Sequence, residues 1–322
     1  MNKKPYYSLD TYIKQTYGRK LYKIAIDAGL TCPNRDGTLD TKGCIFCSQG
    51  GSGDFAVKLS DTSDFEACLS EGIKRLSSKY AGSGFIAYFQ AFTGTYGPIS
   101  YLENIYEAAL KNDRIAGISI ATRPDCLPDE VLNLLKKLRE RYPHKFIWIE
   151  LGLQTIREDT AHFIRRGYSL SCFEEAVATL DALSIPIVVH LILGLPGESN
   201  EDVLKAVSYL NSLPIQGVKL QLLHILEGTD LAALYREHFE EICIFPTKEK
   251  YLDLLITCIE HLRPNIVIHR VTGDAPKALL LAPLWSSNKR DVLNSLYKEM
   301  IERSAFQGRL YMGKEGLSCR NP

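Results

Sequence analysis

The 322-residue sequence predicts an α/β fold, a partial TIM-like (β/α)6 barrel with a helical C-terminal extension. Three observations predict it. Short apolar runs rich in β-branched and aromatic residues recur along the chain, amphipathic stretches of about ten to twenty residues separate them, and polar residues gather where the apolar runs end. Strands alternating with helices imply a parallel sheet with right-handed crossovers.

The first strand is Leu21–Ala28 (LYKIAIDA), followed by Phe85–Phe89, Ile115–Ala121, Phe146–Leu153, Ile185–Leu193 and Gly217–Leu223. The segment PNIVIHRV from Pro264 adds a possible seventh. Helices are expected at Phe65–Lys79, Pro98–Lys111, Pro128–Arg141, Cys172–Leu183 and Asn200–Leu213, with Pro128 and Ser199 at first-turn or capping positions. Six or seven units do not complete an eight-stranded barrel, so a splayed barrel open to a large substrate is expected. Residues 1–20 form a polar, tyrosine-rich extension, 21–274 the barrel with a functional loop at 28–56, and 275–322 an extension that is helical at Lys289–Arg303.

Apolar residues make up 45% of the chain, yet no uninterrupted apolar run is long enough for a membrane-spanning helix. Lys+Arg and Asp+Glu balance at 38 each, so no global field draws the protein to nucleic acid, and any RNA contact must come from local basic patches. Nine cysteines, an odd number with no signal peptide before them, point to free thiols and a cytoplasmic protein.

Cys32, Cys44 and Cys47 stand in CPNRDGTLDTKGCIFC, a C-x11-C-x2-C array that runs into the glycine-rich GGSGDFA. Three thiolates can hold three corners of a [4Fe-4S] cluster and leave the fourth iron open to a small molecule. The same C-x2-C pair is half of a structural zinc site. No His lies between Tyr6 and Tyr142 and the next cysteine is Cys68, so a fourth zinc ligand would come from far along the chain. The other six, Cys68, Cys126, Cys172, Cys243, Cys258 and Cys319, contain no C-x2-C pair and are expected to be small buried apolar residues.

In parallel barrels the working residues gather at the carboxyl ends of the strands. Gln90, Thr93, Thr122, Arg123, Glu150, Gln154, His190 and His224 occupy such positions.

Together these segments resemble a family. The Cys-x-aromatic-Cys ending with Phe46 is similar to the cluster loop of radical S-adenosylmethionine (SAM) enzymes, and the long first gap to a subgroup near the Elongator catalytic subunit. Within it, AIDAGLTCPNRDG, YFQAFTGTY, GISIATRPDCLPD, IELGLQT, ILGLPGE, LLHILEGT, VIHRVTGDAP and PLWSSNK resemble the YtqA-type branch. The resemblance implies a [4Fe-4S] cluster on Cys32, Cys44 and Cys47, whose open iron chelates SAM, and cleavage of SAM to a 5′-deoxyadenosyl radical. It places Phe46 beside the adenine and the Gln90–Thr93 backbone at the methionine amino group. Glu150, Gln154 and Arg166 match contacts to the methionine carboxylate or the ribose, and His190 a position where some relatives carry an Asp to the ribose.

The branch is further implied to convert the tRNA wobble nucleoside 5-carboxymethylaminomethyluridine into 5-aminomethyluridine. Its partners would be the tRNA anticodon loop, an electron donor such as flavodoxin or ferredoxin, and a downstream tRNA methyltransferase. Lys3, Lys4, Arg19, Lys20, Arg270, Lys289 and Arg290 are candidate phosphate contacts, and Tyr6, Tyr7, Tyr12, Tyr17 and Tyr22 candidate stacking platforms or packing surface. Two other readings stay open: a radical SAM enzyme on another substrate, and a non-catalytic zinc-containing RNA-binding protein. A carbon-adding relative carries an acetyltransferase domain for which this sequence leaves no room, and a methylthiolating one needs a second cluster.

Overall fold

The computed structural model describes residues 4–51, 53–59, 64–76, 84–242 and 245–313. Its strands are β1 (Leu21–Asp27), β2 (Val57–Lys58), β3 (Gly84–Phe89), β4 (Ile115–Thr122), β5 (Phe146–Gln154), β6 (Ile187–Leu193), β7 (Gly217–Leu222), β8 (Ile225–Leu226), β9 (Val267–Arg270) and β10 (Leu280–Ala282). Eight of them form one parallel sheet in the order β2-β1-β3-β4-β5-β6-β7-β9, a curled half-barrel whose edges, β2 and β9, do not meet. The sheet therefore extends the six expected units by a two-residue strand at one edge and the PNIVIHRV strand at the other. β8 and β10 pair antiparallel beside it.

The crossovers between the long strands are α2 (Phe65–Arg75), α3 (Ile99–Lys111), α4 (Asp129–Arg141), α6 (Leu170–Ala182) and α7 (Asn200–Ser212). Residues 77–79, expected at the end of α2, lie outside the described residues, as do Lys3, Cys243 and Cys319. Pro128 is the N-cap of α4, and Ser199 opens α7 with a capping box closed by Asp202. The apolar stripes of these helices and the outer face of the sheet make the main core, in which Phe89, Leu102, Tyr106, Ile149 and Phe173 are at most 1% exposed.

Elements beyond the expected set are α1 (Leu9–Tyr17), α5 (Glu158–Phe163), α8 (Asp230–Glu237), α9 (Phe239–Ile242) and α10 (Lys248–His261), while α11 (Lys289–Glu302) matches its expected span. α10 has a broad buried face, Tyr251, Leu252, Leu254, Leu255, Ile256, Cys258 and Ile259, that leaves only a narrow polar stripe at Lys250, Asp253 and Thr257 to mark its period.

The tyrosine-rich start does not form stacking platforms at the barrel mouth. Ile13 of α1 packs with Ile86 and Trp148, and Tyr12 and Tyr17 lie against Trp148 and Phe146, near the amino ends of β3 and β5. α1 thus closes the bottom of the barrel, and Arg19 and Lys20, just before β1, stand at that same end, away from the mouth. Both ends of the chain meet on β9, where Ile268 donates to the Tyr7 carbonyl (2.8 Å) and the Tyr7 amide to Gln307 Oε1 (2.8 Å). Cys68, Cys126 and Cys258 are buried as expected, whereas Cys172, near the start of α6, is only half-buried. Among the described residues no helix is long and apolar enough to cross a membrane.

Gly117 of β4 lies opposite Phe146, whose ring stacks on Trp148 at 4.2 Å. A Cβ at Gly117 would sit 2.4 Å from the Phe146 carbonyl oxygen, a backbone atom that cannot swing away. Gly117→Ala is expected to lower stability by about 2 kcal/mol, read as a fall in the urea unfolding midpoint.

Candidate active site

The carboxyl end of the sheet holds a cavity of about 290 Å³. Cys32, Cys44, Cys47, Phe46, Gln90, Thr93, Glu150, Gln154, Arg166 and His190, the residues singled out from the sequence, all line it. They arrive there because β1, β3, β5 and β6 run parallel and end at one face, and the loops after them carry the remaining groups.

The cysteine loop has little regular structure and is shaped by its own polar side chains. The Cys32 carbonyl accepts from the Arg35 amide (2.8 Å), the Asn34 carbonyl from Gly43 (2.7 Å) and the Cys44 carbonyl from Cys47 (3.0 Å), which folds the loop into successive turns. Asn34 Nδ2 donates to the Arg165 carbonyl (2.8 Å), and Arg35 Nη2 donates to the carbonyls of Cys47 (2.9 Å) and Ser48 (2.6 Å). The amide of Ile45 donates to Ile164 (3.3 Å) and its carbonyl accepts from Leu231 (2.9 Å), so the loop is fastened to α5's end and to the start of α8. Beyond it, a Cβ on Gly53 would lie 2.8 Å from Ala91 Cβ, a close approach that brings the glycine-rich segment against the loop after β3.

The thiols fit the donor set of an iron–sulfur cluster. Burial, with the neighbouring Cys47 and Cys32, pushes the Cys44 thiol up to about 12, and burial raises Cys47 despite Arg35 beside it. The buried thiols of Cys44 and Cys47, which resist ionisation alone, become favourable thiolates when a polycation takes their charge. Among the described residues no three or more His, Cys, Asp or Glu side chains converge as a single ion requires. The three thiols share one cavity.

The other groups divide into two kinds. Arg166 is 2% exposed and its guanidinium is fully engaged: it donates to the carbonyls of Leu153 (3.1 Å), Thr155 (2.7 Å) and Tyr168 (3.0 Å) and to Glu158 (3.3 Å). Its fork therefore braces the end of β5 while it lines the cavity. Arg123, beside it, forms a two-pronged pair with Asp125 (2.9 and 2.7 Å) and donates to the Arg166 carbonyl (3.0 Å). Gln154, in contrast, is held at φ 65°, and its Oε1 is buried with no partner among the described residues. His224 Nε2 is buried and unpartnered in the same way. Such atoms await a donor or acceptor from an incoming molecule.

Glu150 is wholly buried below this layer. It accepts from Lys23 and from Ser119 (2.5 Å) on one oxygen and pairs with His190 (2.7 Å) and Lys219 on the other. Lys219 also donates to Tyr88 Oη (2.8 Å). Burial raises the Glu150 pKa, and Lys219, Lys23 and His190 more than offset this, holding it well below 4.5. Burial and Lys219 hold the His190 ring near 4, so it is neutral. Both Glu150 oxygens are thus met by protein groups. Lys23, Ser119 and Lys219 were missed, although a Lys inside the apolar run GVKLQL was the available signal.

The family model described as the Radical SAM superfamily matches residues 34–210, more than half of the chain, and that of the Radical_SAM C-terminal domain matches 215–302. The uncharacterized protein YtqA of Bacillus subtilis is 39% identical over 98% of this chain and 96% of its own length. The tRNA uridine(34) acetyltransferase of Methanocaldococcus jannaschii is 24% identical over 64% of this chain and 34% of its own. In structure, the archaeal Methanocaldococcus infernus Elp3 superposes with a TM-score of 0.64 at 17% identity, covering 89% of this chain and 65% of that one, a likeness of fold.

Cys44→Ala removes one sulfur and leaves the anchors Asn34 and Arg35 in place. After anaerobic reconstitution with iron and sulfide it is expected to lose the brown absorption of the wild type while keeping its circular dichroism spectrum; an unaltered visible spectrum would place the cluster elsewhere. Glu150→Gln leaves two buried lysines without their anion and is expected to cost about 3 kcal/mol in urea unfolding. Because the folded carboxyl titrates below 4.5, its stabilisation is complete above that pH and fades as pH falls through the lower folded value. Wild type should show this acid-dependent loss, and Glu150→Gln should lack it.

Proposed function

We propose, on the premise that the chain belongs to the radical SAM superfamily, that it is a tRNA-modifying enzyme converting wobble 5-carboxymethylaminomethyluridine to 5-aminomethyluridine. The observation that carries the catalytic part is the single cavity shared by three thiols and by the unpartnered polar atoms of Gln154 and His224. Support for the wobble uridine comes from the similarity to a protein named for uridine 34 of tRNA.

Enzymes of this superfamily use a [4Fe-4S] cluster and SAM. Cys32, Cys44 and Cys47 would hold the cluster, which with SAM bound supplies hydrogen-atom abstraction from a C–H bond. Phe46 and the Gln90–Thr93 segment would receive the adenine and the methionine amino group, and Gln154 Oε1 would accept from a ligand N–H. Arg123 and Arg166 keep that wall rigid through their bonds to carbonyls.

The carboxymethylamino group of the substrate is a glycine unit, and nitrogen and carboxylate both weaken its α C–H bond. Once that hydrogen atom is removed, loss of one electron to an oxidised one-electron carrier of the iron–sulfur or flavin class, and of the N–H proton to solvent, would leave an imine, and addition of water would free glyoxylate and the aminomethyl base. A single-stranded anticodon base can be splayed out of its loop and inserted into an open barrel. Electrons would come from a flavodoxin or ferredoxin, and a methyltransferase would act on the product.

The test reconstitutes the cluster and adds SAM, reductant and tRNA from a strain lacking this gene. Mass spectrometry of the wobble nucleoside is expected to show the carboxymethylaminomethyl form replaced by the aminomethyl form, with glyoxylate released in equal amount. An unchanged nucleoside would sink the substrate assignment, and another two-carbon fragment would sink the imine route alone.

A further inference from the structure

Among the described residues, four arginines line the cavity: Arg35, Arg123, Arg166 and Arg270. The first three are held by the carbonyls and carboxylates already described. The guanidinium of Arg270, at the end of β9, makes no hydrogen bond among the described residues and has one long ion pair, 3.6 Å, to Asp274. Asp274 is itself claimed by Lys289, whose Nζ donates to both its oxygens (2.6 and 2.7 Å). In register, Arg270 lies beside Lys219, and Lys219 beside His190. Two cations are therefore neighbours across the sheet, and the carboxylate that meets Lys219, Glu150, has both oxygens engaged. Like charges side by side are unfavourable unless an anion joins them.

The groups that face one another here are Lys23, Lys219, Arg270 and Lys289 with Glu150 and Asp274, and burial lowers Lys23 and takes Lys219 well below its usual value. The histidines add no charge: burial holds His190 and His224 near 4 and His269 well below its usual value. The His224 ring occupies the space a side chain at Gly273 would fill, 2.8 Å from that ideal Cβ, and its buried Nε2 lines the same end of the cavity as Arg270. A neutral ring can present N–H to an oxyanion, and a guanidinium fork matches a carboxylate with two parallel bonds.

We propose that Arg270, seconded by His224, is an oxyanion subsite that receives the carboxylate borne by the substrate. The substrate's identity rests on the reading above; the subsite rests on the open guanidinium and the unpartnered ring. It lies at the β9 edge, whereas the cysteine loop follows β1 and is fastened to α5 and α8. Arg270 is therefore placed to select the substrate.

Fluorescence anisotropy tests this on cluster-loaded enzyme with SAM and no reductant, so that nothing turns over. Three labelled anticodon stem-loops are compared, with a wobble base carrying the carboxymethylaminomethyl group, the aminomethyl group, or no modification. Wild type is expected to bind the first most tightly. Arg270→Gln should weaken that one about tenfold and leave the other two unchanged, and Arg270→Lys should restore part of the loss. Circular dichroism checks that both variants are folded. Equal weakening of all three would assign Arg270 to a backbone phosphate, and no weakening would deny it a ligand; either overturns the subsite. Loss of SAM binding by Arg270→Gln in equilibrium dialysis overturns it in favour of the cofactor's own carboxylate. If wild type shows no preference for the carboxylate, the wobble substrate fails, and calorimetry with iminodiacetate judges the subsite. Saturable binding by wild type and none by Arg270→Gln would uphold it, and any other result would overturn it.

Discussion

The interior of this half-barrel depends on one buried carboxylate. Parallel barrels ordinarily fill with layers of branched apolar side chains. Here Glu150 of β5 is met by Lys23 from β1, Ser119 from β4, His190 from β6 and Lys219 from β7. Five strands contribute to one polar knot, so their register and the curl of the sheet must bring four partners to the same two oxygens. A buried anion without these bonds would be far costlier than an apolar residue, which makes the knot strict about geometry. The cavity above inherits that strictness, because His190 is both a member of the knot and part of its wall.

Against this fixed floor, the cysteine loop achieves position without regular secondary structure. Its shape comes from Asn34 and Arg35, two side chains that satisfy carbonyls on either side of the thiols. Backbone bonds at Ile45 then join it to the connection after α5 and to the first turn of α8. The three sulfurs are held by parts of the chain more than a hundred residues apart, so a loop that would be mobile in isolation moves only with the sheet.

These features explain what the sequence disclosed and what it hid. The long central strands were legible because each is a short apolar run closed by polar residues. The two-residue β2 was too short to leave a pattern, and the polar stripe of α10 is narrow beside its broad buried face, so its helical period is faint. The cavity lining was legible through motif resemblance and strand ends, and all ten of its chosen residues reach the same space. Partnership was not legible. Lys23 and Glu150 are 127 residues apart, and nothing local to either marks the other. Nor does anything local to Arg166 announce its bonds to the carbonyls of Leu153, Thr155 and Tyr168.

The two walls of the cavity differ in how far their polar groups are satisfied, and this difference has a physical logic. A resident inorganic centre is best held by groups that do not rearrange, and on that wall Arg35, Arg123 and Arg166 are each fixed by several bonds. A substrate that comes and goes needs groups whose bonding is incomplete without it, since any internal partner would have to be displaced at each encounter. Arg270, with one long ion pair to Asp274, and His224, with an unpartnered Nε2, have that incompleteness. Selectivity then arises from the molecule's power to complete the wall, and a neutral analogue of the same shape would leave the guanidinium as exposed to repulsion from Lys219 as before.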